Sequence, residues 1–183
     1  MSSDLRQQPY GSGGSHIQDA AVAQSIDLPT TAGSRIPGKA RVVVVEDHDF
    51  VREEIVALLN RQSDLICCGQ ADSIDSTVAV VAEQAPDVVL LDLRLKNADA
   101  FDLISSLRYQ FPRLVILVLS QCDEVLAVRK ALRAGAQGYV TKHEATDELL
   151  VGLRAVLGGE LYVSRALALR LLRSWLVDRR VDQ

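Results

Sequence analysis

Glu46 with Asp47, Asp92, Ser120, and Thr141 with Lys142 each stand directly after a short apolar run, and together they are the groups that phosphoryl chemistry needs. Three carboxylates gathered in a partly buried crevice repel one another unless a divalent cation sits among them. Hard carboxylate oxygens select magnesium for that place, or manganese instead. With the cation present, one carboxylate can act as nucleophile on a phosphoryl group while the cation, the Lys142 ammonium and the Ser120 hydroxyl neutralise the oxygens of the transition state. Asp92 is the best placed nucleophile, because its strand is expected at the centre of the sheet. Singly, each residue has an ordinary explanation: a turn cap for Asp92, helix N-terminal charge for Glu46 and Asp47, a solvated surface lysine, a serine satisfying a backbone group. Their convergence is what points to chemistry. His48, beside the acidic pair, is read as a surface residue, because magnesium prefers oxygen.

The convergence depends on the elements that carry these residues. Arg41 to Val45, Val88 to Leu91, Leu114 to Leu119 and Gly138 to Val140 read as strands, with Leu65 to Gly69 as strand two of the series. They are almost continuously apolar, as strands are when helices cover both sheet faces. Between them run stripes at helical spacing: Val51, Ile55, Leu58 and Leu59; Ile74, Val78, Val81 and Ala82; Phe101, Ile104 and Leu107 with Leu103; Val125, Val128 and Leu132; Leu149, Leu153, Val156 and Leu157. Strands alternating with helices at short loop lengths signal βα units and a right-handed, doubly wound parallel sheet. In such a sheet all strand ends share one edge, and ligands bind in the crevice outside them.

Gly158 and Gly159 close the fifth helix, and Ser164 is placed to cap a further one running to about Val177. Its expected apolar stripe is Ala168, Leu171, Leu172 and Trp175, opposed by Arg165, Arg170, Arg173 and Arg179 and diluted by Asp178 and Asp182. That stripe must be buried on its own domain or on a second copy. At the other end, residues 1–38 are rich in Ser, Gly, Gln, Thr and Ala and are expected to form a disordered leader, with one short apolar patch at Ala20 to Ala23, Ile26 and Leu28. The expected division is therefore leader 1–38, domain 39–158, and linker with amphipathic helix 159–183.

Composition narrows the function classes. The net charge of −4 and the aromatic content of 4% argue against non-specific DNA binding, anionic membranes and base stacking. No stretch approaches the roughly 18 apolar residues of a membrane span, and the N-terminus lacks the order of a signal peptide, so the cytoplasm is expected. Cys67, Cys68 and Cys122 have no histidine at ligand spacing and read as small buried hydrophobes.

Four segments resemble the receiver domains of bacterial two-component response regulators: Val42-Val43-Val44-Val45-Glu46-Asp47-His48, Asp87 to Leu95, Leu117-Val118-Leu119-Ser120, and Ala134 to Lys142, in order and in register across about residues 40–158. The resemblance implies a flavodoxin-like five-stranded sheet of order 2-1-3-4-5 flanked by five helices. It implies Asp92 as phospho-acceptor. Glu46, Asp47, Asp92 and the Arg94 backbone carbonyl become magnesium ligands, Ser120 and Lys142 the phosphate-binding pair, and Tyr139 with Ser120 the switch. The implied partners are a sensor histidine kinase or phosphotransfer protein, a downstream protein, and a second copy in a homodimer. No catalysis is implied beyond assistance to its own phosphorylation and dephosphorylation.

Val51-Arg52-Glu53 and Gly159 to Ser164 resemble the branch that carries a helix-turn-helix output. A chain stopping at Gln183 leaves no room for that output of about 65 residues, so DNA binding by this chain is not expected. Lys96 and Ala100 replace the proline and glycine usual in the loop after the acceptor. Gln121 replaces a small residue beside the hydroxyl position, and His143 follows Lys142. Lys96 is expected to add positive charge near the phosphate, and Gln121 to narrow the entry. Haloacid-dehalogenase phosphatases also use a nucleophilic Asp with magnesium, but they need a second Asp where this chain has Arg94. A receiver-like module that signals without phosphorylation, and the receiver part of a DNA-binding regulator, remain alternatives.

Overall fold

The computed structural model describes residues 38–95, 98–144 and 146–181. Its elements are β1 (Ala40–Val45), α1 (Asp49–Asn60), β2 (Leu65–Ala71), α2 (Ile74–Gln84), β3 (Val88–Leu91), β4 (Arg94–Leu95), β5 (Ala98–Asp99), α3 (Phe101–Gln110), β6 (Val115–Ser120), α4 (Val125–Ala134), β7 (Gly138–Thr141), α5 (Thr146–Leu157), β8 (Tyr162–Val163) and α6 (Arg165–Val181). The main sheet has the order β2-β1-β3-β6-β7-β8, with every neighbouring pair parallel, and β4 with β5 forms a separate antiparallel hairpin. Its first five strands have the expected doubly wound order. The leader and its apolar patch, and Lys96, lie outside the described residues.

Alternation along the strands divides the core in two. Val43, Val45, Val89, Leu91, Ile116, Val118 and Tyr139 face one side with α3 and α4, while Val42, Val44, Val88, Leu90, Leu117, Leu119 and Val140 face the other with α1 and α5. Successive strand side chains point to opposite faces, so a strand buried on both has no polar positions to show. The α2 stripe packs as expected through Ile74, Val78 and Val81, but not through Ala82. Thr77 is buried, its hydroxyl donating to the Ser73 carbonyl at 2.7 Å, while Ala82 is exposed. A threonine that bonds back into its own helix fits an apolar face, which hydropathy alone does not reveal.

Two further features depart from the sequence reading. The first is β8, a sixth strand inside the segment expected to be a linker; two residues are too short for any periodicity. It pairs with β7 across Gly138, where a Cβ would lie 2.7 Å from Leu117 Cδ1, 2.9 Å from Val156 Cγ1 and 3.0 Å from the Tyr162 carbonyl oxygen. Gly138→Ala is therefore expected to cost about 2 kcal/mol in urea unfolding through overpacking. Wild-type stability would mean that the Leu117 and Val156 side chains and β8 all give way freely.

The second is α6. It packs on its own domain, but through Leu167, which is 2% exposed, and the part-buried Leu171, while Leu172 is 57% exposed. The Trp175 side chain lies outside the described ones. Leucines at 167 and 171 and at 169, 172 and 176 mark two opposite faces, and period alone does not choose between them. Ser164 precedes α6 as expected and its carbonyl accepts from Ala168 N–H at 2.9 Å, but its buried hydroxyl makes no hydrogen bond among the described residues.

Candidate functional site

The carboxyl ends of β1, β3, β6 and β7 bring the sequence-predicted groups to one edge. Glu46 is 1% exposed, Asp92 5% and Ser120 0%, so the cluster is truly withdrawn from water. Hydrogen bonds beyond the strand ends fix the frame: Asp92 N–H donates to the Val45 carbonyl at 2.9 Å, and Lys142 N–H to the Ser120 carbonyl at 2.9 Å. Lys142 Nζ donates to Asp92 Oδ2 at 2.7 Å and also to Glu46 Oε2. One ammonium thus bridges the ends of β1 and β3 from β7. The other Asp92 oxygen, Oδ1, accepts from the Arg94 N–H at 3.2 Å.

Charge placement accounts for the titration behaviour. Burial raises the Asp92 carboxyl above its ordinary range, and the Lys142 ammonium works against that rise without cancelling it. Burial acts to lower Lys142, but the carboxylates of Asp92 and Glu46 outweigh it and the group ends up raised. The site therefore keeps an ammonium charged at neutral pH in an interior that would otherwise expel it.

His48 is exposed beside the acidic pair as expected, and the pair's surroundings hold contacts that the sequence reading did not assign. His48 Nδ1 lies 3.0 Å from Glu46 Oε1 and 2.8 Å from Asp47 Oδ1, so this exposed imidazole sits against both carboxylates. Arg52, one turn into α1, donates to the Glu46 carbonyl at 2.6 Å and to Asp49 Oδ1 at 2.6 Å. Glu144 Oε2 accepts from Thr141 N–H at 2.8 Å and so holds the chain beside Lys142. Each acts on backbone or across a turn, which no spacing pattern encodes. Metal-ligating atoms of Glu46, Asp47 and His48 lie within 4.8 Å of one another. Two hard carboxylates in such a cluster suit a hard divalent cation, and the imidazole is the weaker donor for one.

Ser120 and Tyr139 meet at the turn after β6. The Ser120 Oγ accepts from Cys122 N–H at 3.2 Å, and the fully buried Tyr139 donates its hydroxyl to the Cys122 carbonyl at 2.6 Å. Burial pushes the Tyr139 phenol up, so it remains a donor. Gln121 is exposed and lines the groove between α1 and α5 with Leu119, Val140 and Lys142. All three cysteines are free and only partly buried; burial raises Cys67 to about 11 and also raises Cys68, which keeps both as unreactive thiols.

The chain matches the family described as response regulator receiver domain over residues 42–154. It is similar to the response regulator GacA of Pseudomonas viridiflava, 34% identical over 131 residues, which cover 72% of this chain and 61% of that protein. It is also similar to the oxygen regulatory protein NreC of Staphylococcus epidermidis, 29% identical over 145 residues, covering 78% and 66% respectively. Among solved structures, a LuxR-family two-component response regulator from an Aurantimonas species superposes with a TM-score of 0.73 at 28% identity, over 75% of this chain and 99% of that one. The chain thus spans 61% of the length of GacA and 66% of NreC.

Proposed function

This chain belongs to the response regulator receiver domain family, and on that premise we propose that it is a magnesium-dependent aspartyl-phosphate switch with Asp92 as the acceptor. The observation that carries the proposal is the Lys142 ammonium held between the buried carboxylates of Asp92 and Glu46, beside a buried serine hydroxyl at the next strand end. In the transfer, an Asp92 carboxylate oxygen forms a bond to phosphorus as the donor's bond to phosphorus breaks. With acetyl phosphate, acetate leaves. Asp92 loses its negative charge to an acyl linkage, and Lys142 Nζ, already against its Oδ2, follows the charge onto the phosphoryl oxygens.

Glu46, Asp47, Asp92 and the Arg94 backbone carbonyl would hold the magnesium ion, which when bound supplies positive charge against the phosphoryl oxygens. Ser120 exchanges its Cys122 N–H partner for a phosphoryl oxygen. Tyr139 then responds through the carbonyl of the same residue, Cys122, which makes the pair a population switch biased by the new hydrogen bonds. The donor is a sensor histidine kinase or a phosphotransfer protein, and output passes by protein contact, with a homodimer among the assemblies available. The protein is a signalling component and acts only on its own phosphorylation. Among the described residues no helix is long and apolar enough to cross a membrane, and we place its action in the cytoplasm.

Intact-mass spectrometry after incubation with acetyl phosphate and magnesium tests this reading. Wild type is expected to gain one phosphoryl group, about 80 Da, and Asp92→Asn to gain none. No gain in wild type would leave a receiver fold that signals without phosphorylation, and an equal gain in both would move the acceptor elsewhere.

A further inference from the structure

Helix α6 is docked by one face and leaves the other bare. Leu167 and Leu171 pack into the core cluster, and Arg170 forms an ion pair with Asp123. On the opposite side Leu169, Leu172 and Leu176 are 50%, 57% and 56% exposed. Arg165, Leu169, Leu172 and Leu176 follow one another at intervals of four, three and four residues, the alternation of a heptad seam, and the exposed Arg173 lies one turn beyond Leu169. Single surface leucines need no explanation, but three in line along one helix form a ridge shaped for another helix. Charge decides which helix. From Arg165 to Leu176 the sequence carries three arginines and no acidic residue, in a chain whose net charge is −4. Arg170 is taken up by Asp123, whereas Arg165 and Arg173 have no ion-pair partner among the described residues. A second copy laid on the same ridge would set arginine against arginine, the like-charge arrangement that disfavours a helix pair. The charge that complements this ridge is negative.

We propose that the outer face of α6 docks an acidic amphipathic helix of another protein, whose leucine-like side chains interdigitate with Leu169, Leu172 and Leu176 while its Asp or Glu side chains pair with Arg165 and Arg173. Apolar contact supplies the affinity, and the two arginines select the sign of the partner and its register. The ridge lies opposite the face that packs on the domain, so docking needs no rearrangement of the core cluster. It also draws on none of the chemistry at Asp92. Three half-exposed leucines fall short of the roughly 800 Å² per partner of a standard stable interface, which makes this a transient contact of the signalling kind.

The probe is a synthetic helical peptide of about three heptads with leucine at the a and d positions and glutamate at e and g, and its counterpart carries lysine in place of glutamate. Fluorescence anisotropy of each labelled peptide against the full chain is expected to show saturable binding of the acidic one, with a Kd on the order of 100 μM in about 0.05 M salt, and no binding of the basic one. In about 0.5 M salt the acidic peptide should bind about 10-fold more weakly, because the charges are screened. Leu172→Glu, at an exposed position, is expected to abolish the binding. Arg165→Glu combined with Arg173→Glu is expected to reverse the preference, refusing the acidic peptide and accepting the basic one, a gain that a misfolded variant would not produce. Wild type that binds neither peptide, or both alike, overturns the proposal. So does a dimer in sedimentation that Leu172→Glu dissolves, which assigns the ridge to a second copy. Binding to phosphatidylglycerol vesicles without binding to the acidic peptide overturns it as well and assigns the ridge to a lipid surface.

Discussion

Lys142→Met is expected to destabilise the fold by about 3 kcal/mol at pH 8, and by less as the pH falls. Breaking one side of a buried ion cluster leaves the other charges without compensation, which costs more than the intact cluster contributes. Here the abandoned charges are Glu46 and Asp92, 1% and 5% exposed. Asp92 is raised by burial even with the ammonium at 2.7 Å, and loss of that ammonium raises it further. A carboxyl raised in the folded state binds its proton at a pH where the unfolded chain, at an ordinary value of 3.8, has released it. The folded variant then holds more protons than the unfolded one, so its stability falls as pH rises through that window and returns as pH drops. Wild type has a change of the same sign further up, at the alkaline end: Lys142 is raised above 10.5, so its contribution is full below that value and is lost as pH rises through the folded one. Urea unfolding of both proteins at pH 5 and pH 8, in EDTA to remove divalent cations, measures the gap. A gap that does not narrow at pH 5 would mean that packing of the lysine stem, rather than its charge, is what the variant loses. The same substitution is expected to slow labelling by acetyl phosphate about 100-fold, as removal of a preorganised electrostatic donor does.

The strand ends were legible because their physics is sequential. A doubly buried strand must be apolar throughout and stops where a polar group follows, so Val42 to Val45 followed by Glu46 shows both the strand and the edge at which it ends. Glu46, Asp92, Ser120 and Lys142 could be placed together from sequence for that reason, and they meet in the structure. What stayed hidden works across short turns or between faces. Arg52 reaches the Glu46 carbonyl, Glu144 reaches Thr141 N–H, and His48 leans on both acidic side chains. Such contacts depend on rotamers and on backbone direction, and many polar residues at those spacings make none. Likewise β8 exists because Gly138 leaves room for the Tyr162 backbone. A missing side chain on one strand carries no local sign that another strand will use the space.

Leu167→Ala is expected to lower global stability by about 3 kcal/mol, whereas Leu172→Ala should stay within about 0.5 kcal/mol of wild type. The two leucines lie five residues apart on one helix and have equal hydropathy, so composition predicts equal costs. Their surroundings differ: Leu167 is 2% exposed among Val118, Ile116, Val128 and Tyr139, while Leu172 is 57% exposed. Truncating a buried leucine removes its transfer free energy and leaves a cavity that the surrounding strands, paired on both sides, cannot close. The cost appears in global unfolding only if α6 folds with the sheet, and a shared cluster with β6 and β7 is what makes it do so. Urea unfolding of both variants separates the cases. A small loss for Leu167→Ala with rapid exchange confined to α6 would make the helix a separately opening unit. A large loss shared by Leu172→Ala would show that the outer leucine face is covered in solution.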